Sequence, residues 1–129
     1  MKKQIEVVAA IIQRDGKYLA VQRGPAALDY ISHKWEFPGG KVEAGESLKT
    51  AIERELYEEL KVTVSGLKLL ITVNHEYPDF HITMHCFLCH LDTTDITFTE
   101  HIDSRWLNSS ELWDVDWAAA DIPAVKKLT

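Results

Sequence analysis

Between Ser47 and Lys61 the chain carries Glu53, Glu55, Glu58 and Glu59 among good helix formers, with neither glycine nor proline to interrupt them. On a helix, residues three and four apart share a face, so Glu55, Glu58 and Glu59 can bring their oxygens to one point. The apolar arc of this helix consists of Leu48, Ala51, Ile52, Leu56 and Leu60; on a helical wheel Glu55 and Glu59 fall inside it and Glu58 at its edge. A buried carboxylate without a partner costs several kcal/mol, so such groups are protonated, ion-paired or metal-bound. The helix dipole adds to the cost, because these acids lie in the middle and last turns, where negative charge is disfavoured. Only Arg54 and Lys61 stand near enough in sequence to offset them. An all-oxygen cluster with no adjacent Cys or His suits Mg²⁺ or Mn²⁺ rather than zinc. A solvated acidic face is the plain alternative, and it leaves the inward placement of two acids unexplained.

The segment before the helix supplies a second ingredient. Gly39 and Gly40 let the backbone approach a ligand closely and expose peptide dipoles, and Lys41 adds a positive charge. Together with the carboxylates, this is the composition of a cradle for a phosphate chain that arrives with metal.

The elements that must position these groups follow from local signals. Glu6 to Gln13 and Lys17 to Arg23 are strand-like and flank Asp15-Gly16, a hairpin dipeptide. Residues 24–34 read as a loop, and Pro38-Gly39-Gly40 after Trp35-Glu36-Phe37 as a turn. Ser47 is placed to cap the central helix. Leu67 to His75 and Phe80 to Leu91 are predicted strands joined by a turn at Tyr77-Pro78-Asp79. A polar stretch then leads to a short strand near Ser104 to Leu107. A short helix is predicted to start at Ser109 to Trp113, and a last one covers Ile122 to Leu128, with Pro123 in its first turn. The pattern describes a single mixed α+β domain spanning residues 1–129.

Composition limits the function. A chain of 129 residues with 46% apolar content can build its own core without staples. Its net charge of -6 argues against gripping a nucleic-acid polymer or an anionic membrane. The apolar run Val7 to Ile12 is too short for a membrane span and reads as a strand. Two cysteines in such a composition are expected to be reduced thiols of a cytoplasmic protein. Cys86 and Cys89 are three apart on a predicted strand, so they point to opposite faces and are expected to pack rather than bind zinc. His81, His85 and His90 are read as structural, with a place in the ligand cleft as the alternative. Trp106, Trp113 and Trp117 are expected in the core or at its margin.

Gly40, Glu46, Arg54-Glu55-Leu56-Tyr57-Glu58-Glu59 and Val62 resemble, in type and spacing, the signature of the Nudix hydrolase superfamily, the Nudix box, here residues 40–62. Lys61 departs from it, standing where the family usually has the Gly that ends the helix. The similarity extends to the MutT-like nucleoside triphosphate pyrophosphohydrolases through Glu36-Phe37-Pro38-Gly39-Gly40-Lys41, Tyr77-Pro78-Asp79-Phe80-His81-Ile82-Thr83 and Ala120-Asp121-Ile122-Pro123. The resemblance implies an α/β/α sandwich around a mixed sheet, with the box as a loop-helix-loop. It also implies water attack on a nucleoside triphosphate, giving the monophosphate and pyrophosphate. It makes Glu55, Glu58, Glu59 and the Gly39 carbonyl the metal ligands, with Glu100 a further metal-binding or base carboxylate. Arg54 would orient a helix glutamate, and Glu46 would steady the loop or a metal-bound water. Arg23 and Lys41 match phosphate-facing positions, and Glu55 or Glu59 would take the proton from water. Phe37 or Trp35 would stack on the base, with Asp121 at its edge. The substrate classes implied are oxidised purine nucleotides such as 8-oxo-dGTP, which are favoured slightly, and cytidine triphosphates. ADP-ribose is a minor alternative suggested by Pro78. The expected cofactor is Mg²⁺, with Mn²⁺ as a substitute, and the expected assembly is a monomer or homodimer.

Overall fold

The computed structural model describes residues 2–93 and 95–129. Its centre is β1 (Lys3–Arg14), in which Val8, Ala9, Ala10, Ile11 and Ile12 are all buried. A strand covered on both faces needs such an unbroken apolar run rather than alternation. Val8, Ala10 and Ile12 face one core and Ala9 and Ile11 the other. After the Asp15-Gly16 turn, where both residues have positive φ, β2 (Lys17–Gln22) returns antiparallel. It leaves β1 at once to pair with β3 (Trp35–Glu36) and β7 (Asp103–Leu107). The gap opened beside β1 is filled by β4 (Gly39–Lys41), which pairs with Val7 to Ala9. On its other side β1 runs parallel to β6 (Phe80–Leu91), which forms a hairpin with β5 (Val64–Glu76). Among the described residues the result is a mixed sheet of seven strands.

Helix α1 (Leu48–Leu60) lies on one face, with Ala51, Ile52, Leu56 and Leu60 packed on Val8, Ala10, Ile12 and Cys89. Burying a side chain such as Leu56 is worth about 2 kcal/mol. The Ser47 hydroxyl accepts from the Thr50 N–H at 3.1 Å and caps the helix as expected. At the other end Lys61 adopts the left-handed conformation (φ 57°, ψ 40°), and its N–H donates to the Tyr57 carbonyl. The lysine takes the backbone shape for which the family uses glycine, so the turn is kept at a small strain cost.

The opposite face is covered by short 3₁₀ turns at Leu112–Asp114 and Ala119–Asp121 and by α2 (Ile122–Leu128). Trp117, Leu112, Ala124 and Val125 fill this layer with Ile11, Phe37 and Cys86. Cys86 and Cys89 therefore sit in different cores, and burial pushes both thiols up to about 12. Trp113 departs from expectation: Trp117 reaches the core and bonds the Leu112 carbonyl, whereas Trp113 is half exposed. The two-residue β3 lies in the segment expected only to lead into a turn, and the three-residue β4 overlaps the expected Pro38-Gly39-Gly40 turn, because so few residues carry no periodicity.

Candidate active site

The cluster is organised by Arg54. Its guanidinium makes a fork with Glu46, Nε to Oε2 at 2.7 Å and Nη2 to Oε1 at 2.9 Å. It also donates to Glu55 at 2.9 Å, to Glu58 at 3.3 Å and to the Lys41 carbonyl at 3.0 Å. One planar cation thus ties the loop before the helix to the helix itself. Its strongest partner is the loop acid Glu46 rather than a helix glutamate. Glu46 also accepts from the Glu43 N–H, and these bonds hold its carboxyl down at about 2.

The helix acids divide into three environments. Glu58 is exposed and leans on Arg54. Glu55 is largely covered and lies over Gly40, so close that a Cβ at that position would collide with its carboxylate. Glu59 is buried at 6% exposure, and its Oε2 has no hydrogen-bond partner. Burial first, then the negative charges of Glu36, Glu100 and Glu55, raise its carboxyl to about 9.

Glu100 reaches this place because the chain around it caps α1. The Thr99 N–H donates to the Glu59 carbonyl, the Thr99 hydroxyl to the Glu58 carbonyl, and the Thr97 N–H to the Leu60 carbonyl. These contacts satisfy helix-end acceptors and bring a distant acid beside Glu59. A cleft of about 590 Å³ results, with Arg23, Gly40, Lys41, Glu59 and Glu100 in its walls. Two further members had not been expected, Glu36 and His101. Glu36 receives Arg23 at 3.5 Å and His101 Nε2 at 3.4 Å, and His101 lies 3.8 Å from the unpartnered oxygen of Glu59. The adjacency of His101 to Glu100 was the available signal. His81 and His85 instead bond Glu76 and Glu6.

A smaller pocket of about 130 Å³ adjoins the cleft and shares Arg23, Ile31 and Glu36 with it. Phe37 and Asp121 line it, together with Tyr77, Phe80 and Ile82. Asp121 is buried and accepts from the Phe37 N–H at 3.1 Å; burial, then the charge of Glu36, raises its carboxyl well above the usual carboxylate range. Phe37 is held against Trp117 with ring centroids 4.7 Å apart. Trp35, the other aromatic considered for the base, belongs to the core behind.

The donor set is hard oxygen throughout, and it contains a buried oxygen with no partner beside a glycine that leaves room for Glu55. Those features fit a divalent cation. Among the described residues no three His, Cys, Asp or Glu side chains stand as a ready-made metal group, and Arg54 engages both Glu55 and Glu58.

The NUDIX domain model matches residues 2–128. The chain belongs to the Nudix family. The CTP pyrophosphohydrolase of Escherichia coli K12 is 39% identical to this Nudix chain, over 96% of the chain and 90% of that protein. The 8-oxo-dGTP diphosphatase of the same organism is 31% identical, over 98% and 97%. The crystal structure of a MutT NUDIX hydrolase from Burkholderia pseudomallei superposes with a TM-score of 0.85 at 25% identity, covering 99% of this chain and all of that one. The α+β sandwich expected from the resemblance is therefore the fold of this Nudix protein.

Proposed function

We propose that the protein hydrolyses a (deoxy)nucleoside triphosphate to the monophosphate and pyrophosphate, using Mg²⁺ or Mn²⁺. The observation that carries this is Glu59: a buried carboxyl with an unpartnered oxygen, facing Glu36 and Glu100 in a cleft that also presents Arg23 and Lys41. Such a group is a poor structural element and a good cation ligand. In this reading Glu55, Glu58, Glu59, Glu100 and the Gly39 carbonyl hold the metal. When bound, the cation neutralises the triphosphate and lowers the pKa of the attacking water.

The chain's own groups do the rest. Arg23 and Lys41 orient the phosphates, and Arg54 with Glu46 keeps the loop and helix in register. Glu55, fixed by Arg54, or Glu59 accepts the proton of the water as its oxygen forms the new bond to phosphorus. The bond from phosphorus to the bridging oxygen breaks, and pyrophosphate leaves. Phe37 and Asp121 contact the base; a neutral Asp121 can donate as well as accept a hydrogen bond.

Oxidised purine nucleotides such as 8-oxo-dGTP are the preferred reading, in line with the 31% identical relative. The 39% identical relative and the Ala120-Asp121-Ile122-Pro123 segment favour CTP or dCTP as the second reading. Free thiols at Cys86 and Cys89 suit a cytoplasmic enzyme, a monomer or homodimer. Among the described residues no helix is long and apolar enough to cross a membrane. The test is kcat/KM with Mg²⁺ for 8-oxo-dGTP, dGTP, dCTP, CTP and ADP-ribose. A triphosphate should be preferred at least tenfold, and a preference for ADP-ribose would overturn the assignment.

A further inference from the structure

The connection from β2 to β3, residues 23–34, overhangs the cleft, and its Ile31 lines both the cleft and the smaller pocket. The base of this loop is closed by backbone bonds, Arg23 N–H to the Lys34 carbonyl at 2.9 Å and His33 N–H to the Gly24 carbonyl at 3.3 Å. Its interior is braced by the Ser32 hydroxyl, which accepts from the Ala26 N–H at 3.0 Å.

The tip is held from outside. The Tyr30 hydroxyl donates to the Asp79 carboxylate, in the turn between β5 and β6. The Tyr30 ring stacks on Tyr77, with centroids 5.2 Å apart and planes 17° from parallel. Tyr77 is itself a wall of the smaller pocket, and its hydroxyl accepts from the Ala120 N–H at 3.0 Å, one residue before Asp121. Tyr30 therefore touches one of the aromatic walls of the pocket, and its chain neighbour Ile31 is another wall. A shift of the loop tip would change the distance between these two walls while leaving in place Arg23, at the closed base of the loop, and the groups carried on β4 and α1.

We propose that Tyr30 and Asp79 form a specificity-determining clasp, which fixes Ile31 relative to Tyr77 and so sets the shape of base the pocket accepts. This rests on the reading above that the smaller pocket takes the base. The pair acts through Ile31 and Tyr77, so both members are positioning residues. Loss of the clasp is read as a change of about tenfold in KM.

The experiment compares Tyr30→Phe, Asp79→Ala, Asp79→Asn and the double variant Tyr30→Phe/Asp79→Ala, with purine and pyrimidine triphosphates and saturating Mg²⁺. Tyr30→Phe keeps the stack and removes only the donor; Asp79→Asn keeps a carbonyl acceptor. Tyr30→Phe and Asp79→Ala should each raise KM for the preferred triphosphate about tenfold, with kcat within twofold of the parent, and compress the purine to pyrimidine ratio of kcat/KM. The double variant should be no worse than either single one, and Asp79→Asn should stay near the parent. Unchanged KM and base ratio in Tyr30→Phe and Asp79→Ala would overturn the clasp, as would additive losses in the double variant. Asp121→Ala run alongside separates the two levels. If it leaves the base ratio unchanged, the base-pocket reading fails; if it changes the ratio while Tyr30→Phe does not, only the clasp fails.

Discussion

Replacing Glu59 by Gln in the metal-free protein should change how stability depends on pH. In the folded chain the Glu59 carboxyl titrates at about 9, raised by burial and by Glu36, Glu100 and Glu55. In the unfolded chain it titrates near its ordinary value of 4.5. Between those values the folded state holds a proton that the unfolded state has released. Its contribution is therefore complete below about 4.5 and is lost as pH rises towards 9. Each pH unit in this window costs the parent the equivalent of one bound proton, so from pH 6 to pH 8 it should lose roughly 3 kcal/mol that the glutamine variant does not. Urea unfolding in EDTA at both pH values measures this, and taking the difference between the two proteins cancels the distant titrating groups. A parent and variant whose stabilities change in parallel from pH 6 to pH 8 would refute the claim that Glu59 is buried and neutral.

Gly40→Ala should fold, because the atoms nearest its new Cβ belong to the movable Glu55 carboxylate, yet it should lose about a hundredfold in Mg²⁺-dependent kcat/KM, read by steady-state kinetics. Gly39→Ala should instead fail to fold, since its Cβ would strike the Val8 carbonyl of β1; circular dichroism distinguishes the two. Arg54→Met should lower kcat by about tenfold to a hundredfold and raise the Mg²⁺ concentration needed for half activity, because Glu46, Glu55 and Glu58 lose their common partner. Lys61→Gly should raise stability by about 1 kcal/mol in urea unfolding with unchanged turnover, since glycine removes the strain of a left-handed residue.

The inward glutamates were legible because a helix has a fixed period and the apolar arc identified its buried side. Ser47 and the Asp15-Gly16 turn were legible for a similar reason, since their conformations depend on near neighbours. The same local logic did not give the partner of Arg54, because Glu46 comes from the preceding loop. Nor could it give β3, which pairs with Val21 and Gln22 of β2, or β4, which takes the edge beside Val7 to Ala9 that β2 leaves open. Glu36 and His101 were invisible as a pair: one lies on a two-residue strand, the other follows a segment that caps α1 through Thr97 and Thr99. Trp113 and Trp117 looked alike in sequence; Trp117 turns inward, where its indole bonds the Leu112 carbonyl at 2.6 Å, its ring packs on Phe37 and its backbone bridges Trp35.

The most direct test of the proposed activity is the product balance of a single triphosphate, 8-oxo-dGTP or dCTP, with Mg²⁺ and with EDTA, for the parent and for Glu59→Gln. The parent with Mg²⁺ should give monophosphate and pyrophosphate in equal amounts, EDTA should abolish both, and Glu59→Gln should lower the rate by orders of magnitude while still folding. Release of orthophosphate with the diphosphate, or full turnover by Glu59→Gln, would contradict it.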